Sequence, residues 1–238
     1  MHKVVATLCA AITAIGAAFV AVPAIANTPV DGEQLSRAFF KTVFGLEYDG
    51  GHADAYRVKR YVGQVRFHVE DLSGLQRAAL AESFLTALPQ RIQHLRATVV
   101  RERERANFRV IIVRDQDFAA VVSRELKADT IAMNARCLVG VTTRNGRIER
   151  STAVIIADDD FLFPRCLVEE VLQGLGPMND DDSLTESVFN DSSHHASFTP
   201  FDEALMNVLY HPMIRPGMSS SQAQKALPAV LQSLGYRR

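Results

Sequence analysis

After its first 26 residues the sequence has no apolar run long enough to span a bilayer. It also has no excess of one charge: 26 lysine and arginine residues face 27 aspartate and glutamate residues, a formal net charge of −1. That balance, with no basic patch, argues against nucleic acid as a partner. The one charged run, Arg101-Glu102-Arg103-Glu104-Arg105, alternates in sign and reads as a solvated edge or loop. No G-x-S-x-G elbow occurs, which removes the usual α/β-hydrolase nucleophile. Gly174-Leu175-Gly176 is too short for a dinucleotide fingerprint and ends a helix instead of opening one. Asn179, Asp180, Asp181, Asp182 and Asp191 crowd one loop without the EF-hand order, so they read as a solvated acidic loop.

Cysteine is scarce, with three in the chain. Cys9 lies in a leader-like start, where Lys3 precedes the Ala-, Val- and Ile-rich stretch from Val4 to Val22, and Ala24-Ile25-Ala26 supplies a small-x-small cleavage site. The pattern predicts a cleaved signal peptide over residues 1–26 and an exported chain, periplasmic or secreted, with no stable membrane span after cleavage. Removing 26 of 238 residues leaves 212, enough for one domain with a substantial core. Cys137 and Cys166 then remain in an oxidising compartment, where a pair tends to join. A metal-bound or catalytic thiol is the alternative, but no second thiol or histidine stands at ligand spacing from either.

Periodicity predicts an amphipathic helix around Glu33 to Phe44, then a Gly-rich connector, Asp49-Gly50-Gly51-His52. Lys59 to Glu70 alternates as a strand does, and a long helix is expected from Ser73 to about Leu95. Phe108 to Val113 reads as a buried strand and Gln116 to Leu126 as a short helix. Cys137 to Thr143 and Ile148 to Ala157 are strand-like, and Asn145-Gly146 between them suits a tight hairpin turn. A helix follows from Phe161 to Leu175, a polar loop from Asn179 to Ser197, a helix capped by Thr199, and a last helix from about Ser219 to Leu234. The sum is an α/β (α+β) fold: a mixed sheet with an antiparallel hairpin, a long backing helix and a helical C-terminal part. Residues 27–55 read as an N-terminal helix and linker, and 56–238 as the main domain.

The chemically suggestive stretch is Glu169 to Asn179, EEVLQGLGPMN. It has the frame of a zinc-protease helix, H-E-x-x-H-x-x-G-x-x-H, with Glu169, Gln173 and Asn179 where the three histidines would stand. Glu170 takes the place of the general base and Gly176 that of the turn. Ser187-Val188-Phe189-Asn190 resembles the Met-containing turn beneath the zinc of metzincin proteases, with Phe189 in the methionine's place. Phe198 to Tyr210 resembles the closing helix of the matrixin-type enzymes, with Thr199, Asp202, Leu209 and Tyr210 at matching offsets. The order of strands, long helix, hairpin and active-site-type helix is similar to that of a zincin.

The departures bear on the chemistry. A carboxylate and two amide oxygens suit zinc poorly, so no cofactor is expected. Without a metal, water loses an activation of about 12 kcal/mol, the equivalent of lowering its pKa from about 15.7 to about 7. Adjacent helix residues point about 100° apart, so Glu169 and Glu170 cannot act as an aspartic dyad. The bland alternative is two solvated helix glutamates with no such ancestry. Finer matches, Cys166-Leu167-Val168-Glu169-Glu170, Gln173, Leu175-Gly176, Asn179-Asp180, Ser187 to Asp191 and Gly217-Met218, resemble an uncharacterised exported bacterial family, domain of unknown function 2927. That resemblance implies glutamate and glutamine in former ligand positions, and no established activity.

The expected function is non-catalytic binding or a cell-envelope role. Glu169, Glu170, Gln173 and Asn179 would offer hydrogen bonds to a peptide, a glycan or another envelope protein. The alternative is a peptidase-like hydrolase, using Glu170 without zinc or a metal site rebuilt with His194, His195 or His211.

Overall fold

A computed structural model describes residues 30–46, 52–128 and 135–236. The predicted leader and most of the Gly-rich connector lie outside the described residues. Among those described, a five-stranded sheet is built from β1 (Val65–Asp71), β2 (Ala97–Val99), β3 (Phe108–Val113), β4 (Cys137–Arg144) and β5 (Arg147–Ile156), in the order β2-β1-β3-β5-β4. All neighbours run parallel except β4, which pairs antiparallel with β5 and forms one edge. The helices are α1 (Gly32–Val43), α2 (Ala78–Arg91), α3 (Asp115–Leu126), α4 (Leu162–Gln173), α5 (Pro200–Tyr210) and α6 (Ser220–Ser233). The expected mixed α/β architecture is observed, and no described helix is long and apolar enough to cross a membrane.

Side chains alternate across the sheet as the pleat requires. Phe67, Phe108, Val110, Ile112, Ala153 and Ile155 enter a large core with α1, α2, α4, α5 and α6. Ile111, Val113, Val154 and Ile156 turn the other way, onto Phe118, Val121 and Val122 of α3. The hairpin turns at Asn145 and Gly146, with φ of 53° and 74° as the sequence predicts. Glycine is required at 146 twice over, because a Cβ there would stand 2.1 Å from the Gly217 nitrogen.

Several boundaries differ from the sequence pattern for local reasons. The strand expected from Lys59 begins only at Val65. Lys59 turns inward and donates to the carbonyls of Val43 and Ala55 at 2.9 Å each and of Arg57 at 3.2 Å. Arg60 reaches away to the end of α5, donating to the carbonyls of Leu209, His211 and Ile214. The long helix expected from Ser73 starts at Ala78 because Gln76 has a φ of 59°, which no right-handed helix tolerates. Asp71, at the end of β1, caps it from outside by accepting the backbone N–H groups of Arg77 and Ala78. Strand β2 carries too few residues to show a period and was not anticipated.

Cys137 at the start of β4 is bonded to Cys166 in α4 across a sequence separation of 29. The bond closes a loop around β5 and ties the edge strand to the buried helix. Replacing both cysteines with serine should lower stability by about 3–4 kcal/mol in the chain-entropy account. Urea denaturation of the oxidised protein and the double variant measures this directly.

Candidate functional site

Helix α4 begins where Asp159 accepts the N–H groups of Phe161 and Leu162, both at 2.8 Å, and these bonds hold its carboxyl below the usual range. The helix is buried all round: every residue from Arg165 to Gln173 is shielded, including four polar ones. Glu169 and Glu170 are each only 5% exposed, so they are not solvated surface glutamates. Polar groups so deep must find partners inside the protein.

Arg165 stands beside Glu169 and takes its own partners from the loop. Its Nη1 donates to the carbonyls of Ser193 and His195 and to the Ser193 hydroxyl, and its Nη2 to the Asn190 carbonyl at 3.0 Å. The same Nη2 lies 3.6 Å from Glu169 and 4.0 Å from Asp191. Gln173, one turn beyond Glu169, donates to Asp180 at 3.0 Å. The acidic loop is therefore fastened along α4, not loosely solvated.

The candidate positions do not converge on one point. Asn179 faces α1: its backbone N–H donates to Thr42 and its side chain to Lys41 and to the Asp180 carbonyl. Its neighbour Asp180 takes the inward place. The carboxylates of Glu169, Asp180 and Asp191 each put an oxygen within 4.8 Å of the others, the only group of potential metal ligands of this kind among the described residues. Such a set would suit a hard cation better than zinc. Arg165 already places a positive charge beside two of the three carboxylates.

No histidine joins this group. His195 lies 3.0 Å from the Thr185 carbonyl, and His211 contacts Ser233 at the far end of α6. Gly176, with a φ of 148°, makes the turn after α4; a Cβ there would meet the Lys59 carbonyl at 2.3 Å. The turn at Ser187–Asn190 is anchored to α5. Ser187 donates to Asp202 at 2.6 Å, and Thr199 completes a capping box with the same carboxylate. Burial pushes the Asp202 carboxyl up, against the pull of these hydrogen bonds. Phe189 is fully buried in the core that holds Leu167, Val171 and Leu172 of α4.

A cavity of about 710 Å³ lies beside this helix, along β4. Six consecutive residues of that strand, 138–143, line it together with Gln173, Met178 and Lys59. Of the four frame positions only Gln173 reaches it. Burial pushes the Lys59 ammonium down to about 8, with Asp54 opposing the change. Sequence alone gives no sign of Arg165 or the cavity, and it reads Asp180 only as part of a solvated acidic loop, because the partners of each are chain segments distant in order.

A family model described as "Protein of unknown function (DUF2927)" matches residues 32–229. The chain belongs to this family. No curated protein and no solved structure matches it. The DUF2927 match takes in both cysteines, the whole of α4 and the loop fastened to it.

Arg165→Met should destabilise this DUF2927 protein by about 3–5 kcal/mol, the usual consequence of removing one partner of a buried ion pair. The same change should make the 190–195 loop the first site of limited proteolysis. For Lys59, the folded pKa lies below the ordinary 10.5, so the unfolded chain binds more protons between those values. Stability should therefore rise from about pH 8 towards pH 10.5, and Lys59→Met should flatten the rise in urea titrations.

Proposed function

We propose that this protein is an exported, zincin-like domain without a zinc site that holds an extended peptide along β4 and does not cleave it. The carrying observation is that Glu169 and Glu170 are both buried, and that the Arg165 guanidinium, which also holds the 190–195 stretch, stands beside Glu169 in place of a metal's charge. A hydrolase of the resembled kind needs a metal-bound water at that position, and a lone glutamate cannot replace an activation of about 12 kcal/mol.

The cavity supports the binding half of the reading. Among the described residues β4 has no partner on its outer side. An edge strand beside a groove offers backbone donors and acceptors to an incoming strand, with pockets for alternate side chains. Val139 and Val141 present apolar surface on one side of β4, and Thr142 with Arg150 presents polar surface on the other. An extended peptide fits that edge better than a glycan, which has no strand-like backbone to pair. Export is supported by the small-x-small site after the apolar start and by the Cys137–Cys166 bond, which suits an oxidising compartment.

A second reading, a hydrolase with a rebuilt metal site, has the gathering of Glu169, Asp180 and Asp191 in its favour. Elemental analysis of the dialysed mature protein separates the two. The binding reading expects no stoichiometric zinc, manganese or calcium, and no peptide cleavage that Glu170→Gln abolishes. It also expects Val141→Asp to weaken capture of extended peptides by about tenfold, or 1.4 kcal/mol, while Glu170→Gln leaves capture unchanged. A stoichiometric metal together with Glu170-dependent cleavage would overturn it.

A further inference from the structure

We infer that His211 is a proton-sensitive clasp that docks the C-terminal helix α6 and loosens it as the surroundings acidify. His211 is the C-terminal cap of α5, and its ring lies between that helix and the last residue of α6. The backbone N–H of Met213 points at Nδ1 from 3.2 Å. A backbone N–H can only donate, so Nδ1 must carry a lone pair. Nε2 lies 3.0 Å from the Ser233 hydroxyl, which itself donates to the Val230 carbonyl at 2.7 Å. That hydroxyl has spent its proton, so Nε2 must be the donor. The chain of bonds runs from Met213 through the imidazole and Ser233 to Val230, and it closes only when the ring is neutral.

A second proton on Nδ1 would set N–H against N–H and break the turn that follows α5. The groups acting on the ring make that protonation costly. His94, in the loop after α2, stands edge-on with ring centroids 6.3 Å apart. Arg60, from the segment before β1, donates to the His211 carbonyl at 3.1 Å and stacks on Tyr210. Burial first, then His94 and Arg60, hold the His211 imidazole below its ordinary value. The unfolded or undocked ring therefore binds its proton first. The docking contribution is complete above the ordinary histidine value of 6.5 and is lost as pH falls through that value towards the docked one.

What the clasp holds is small. Helix α6 enters the core through Ala223, Leu227, Val230 and Leu231, one stripe along an otherwise exposed helix. Loosening it would bare the apolar faces of α1 and α5 on which that stripe rests, in a compartment whose pH follows the outside medium if the protein is exported. His211 is not among the residues that line the cavity along β4, and the inference does not depend on whether that cavity binds a peptide.

The test uses the mature protein, with NMR titration of the His211 ring and amide exchange over 220–233 corrected for intrinsic rates. Opening of α6 should be flat above about pH 6.5 and increase below it by up to about tenfold per pH unit until the docked His211 ring has titrated. His211→Asn keeps an acceptor for the Met213 N–H and cannot titrate, so α6 exchange should lose its pH dependence. His94→Gln removes one opposing neighbour and should move the His211 midpoint upward. Protection of α6 that is unchanged across the wild-type titration would overturn the inference, as would a pH dependence that survives in His211→Asn. If His211→Asn does not fold, the wild-type agreement between the His211 titration and the levelling of α6 exchange decides alone.

Discussion

The guanidinium of Arg165 is the interaction on which the region around α4 depends. A helix buried on every side normally carries apolar residues throughout. This one holds an arginine, two glutamates and a glutamine between the sheet and a polar loop. Arg165 makes that arrangement tolerable by giving the loop's carbonyls a donor and Glu169 a counter-charge at once. Without such a group, the carboxylates of Glu169 and Asp191 would repel one another and the loop would have no reason to lie down. The inward turn of Asp180 follows from Gln173, and the seat of Asn190 from Arg165.

Local chemistry was legible in the sequence where a short stretch determines its own conformation. Asn145-Gly146 specified a hairpin because both residues tolerate positive φ, and the turn lies there. Thr199 with Asp202, and Ser219 with Gln222, close capping boxes at the starts of α5 and α6. Cys137 and Cys166 are bonded, as their expected pairing requires. The order of elements, and hence the mixed α/β class, came from the same local patterns.

What escaped was set by partners far along the chain. Asp71 caps a helix from the end of a strand, and Lys59 leaves its apparent strand to fill a nest of carbonyls. Asn179 occupied the right place in a sequence frame, yet in space it addresses α1, and Asp180 takes its place beside Glu169. Spacing along a helix fixes which of its own residues share a face. It is silent about which residue of a returning loop will meet that face, since the loop's path depends on where Arg165 and Gln173 catch it.

The bond between Cys137 and Cys166 has a bearing on self-association. An unpartnered edge strand is the natural place for one molecule to lend a segment to another, by peeling away and pairing with a neighbour's sheet. Here the first residue of that strand is covalently joined to a helix buried from Arg165 to Gln173. The bond therefore keeps the start of β4 from peeling away from α4, which opposes the lending of this particular strand to a second copy.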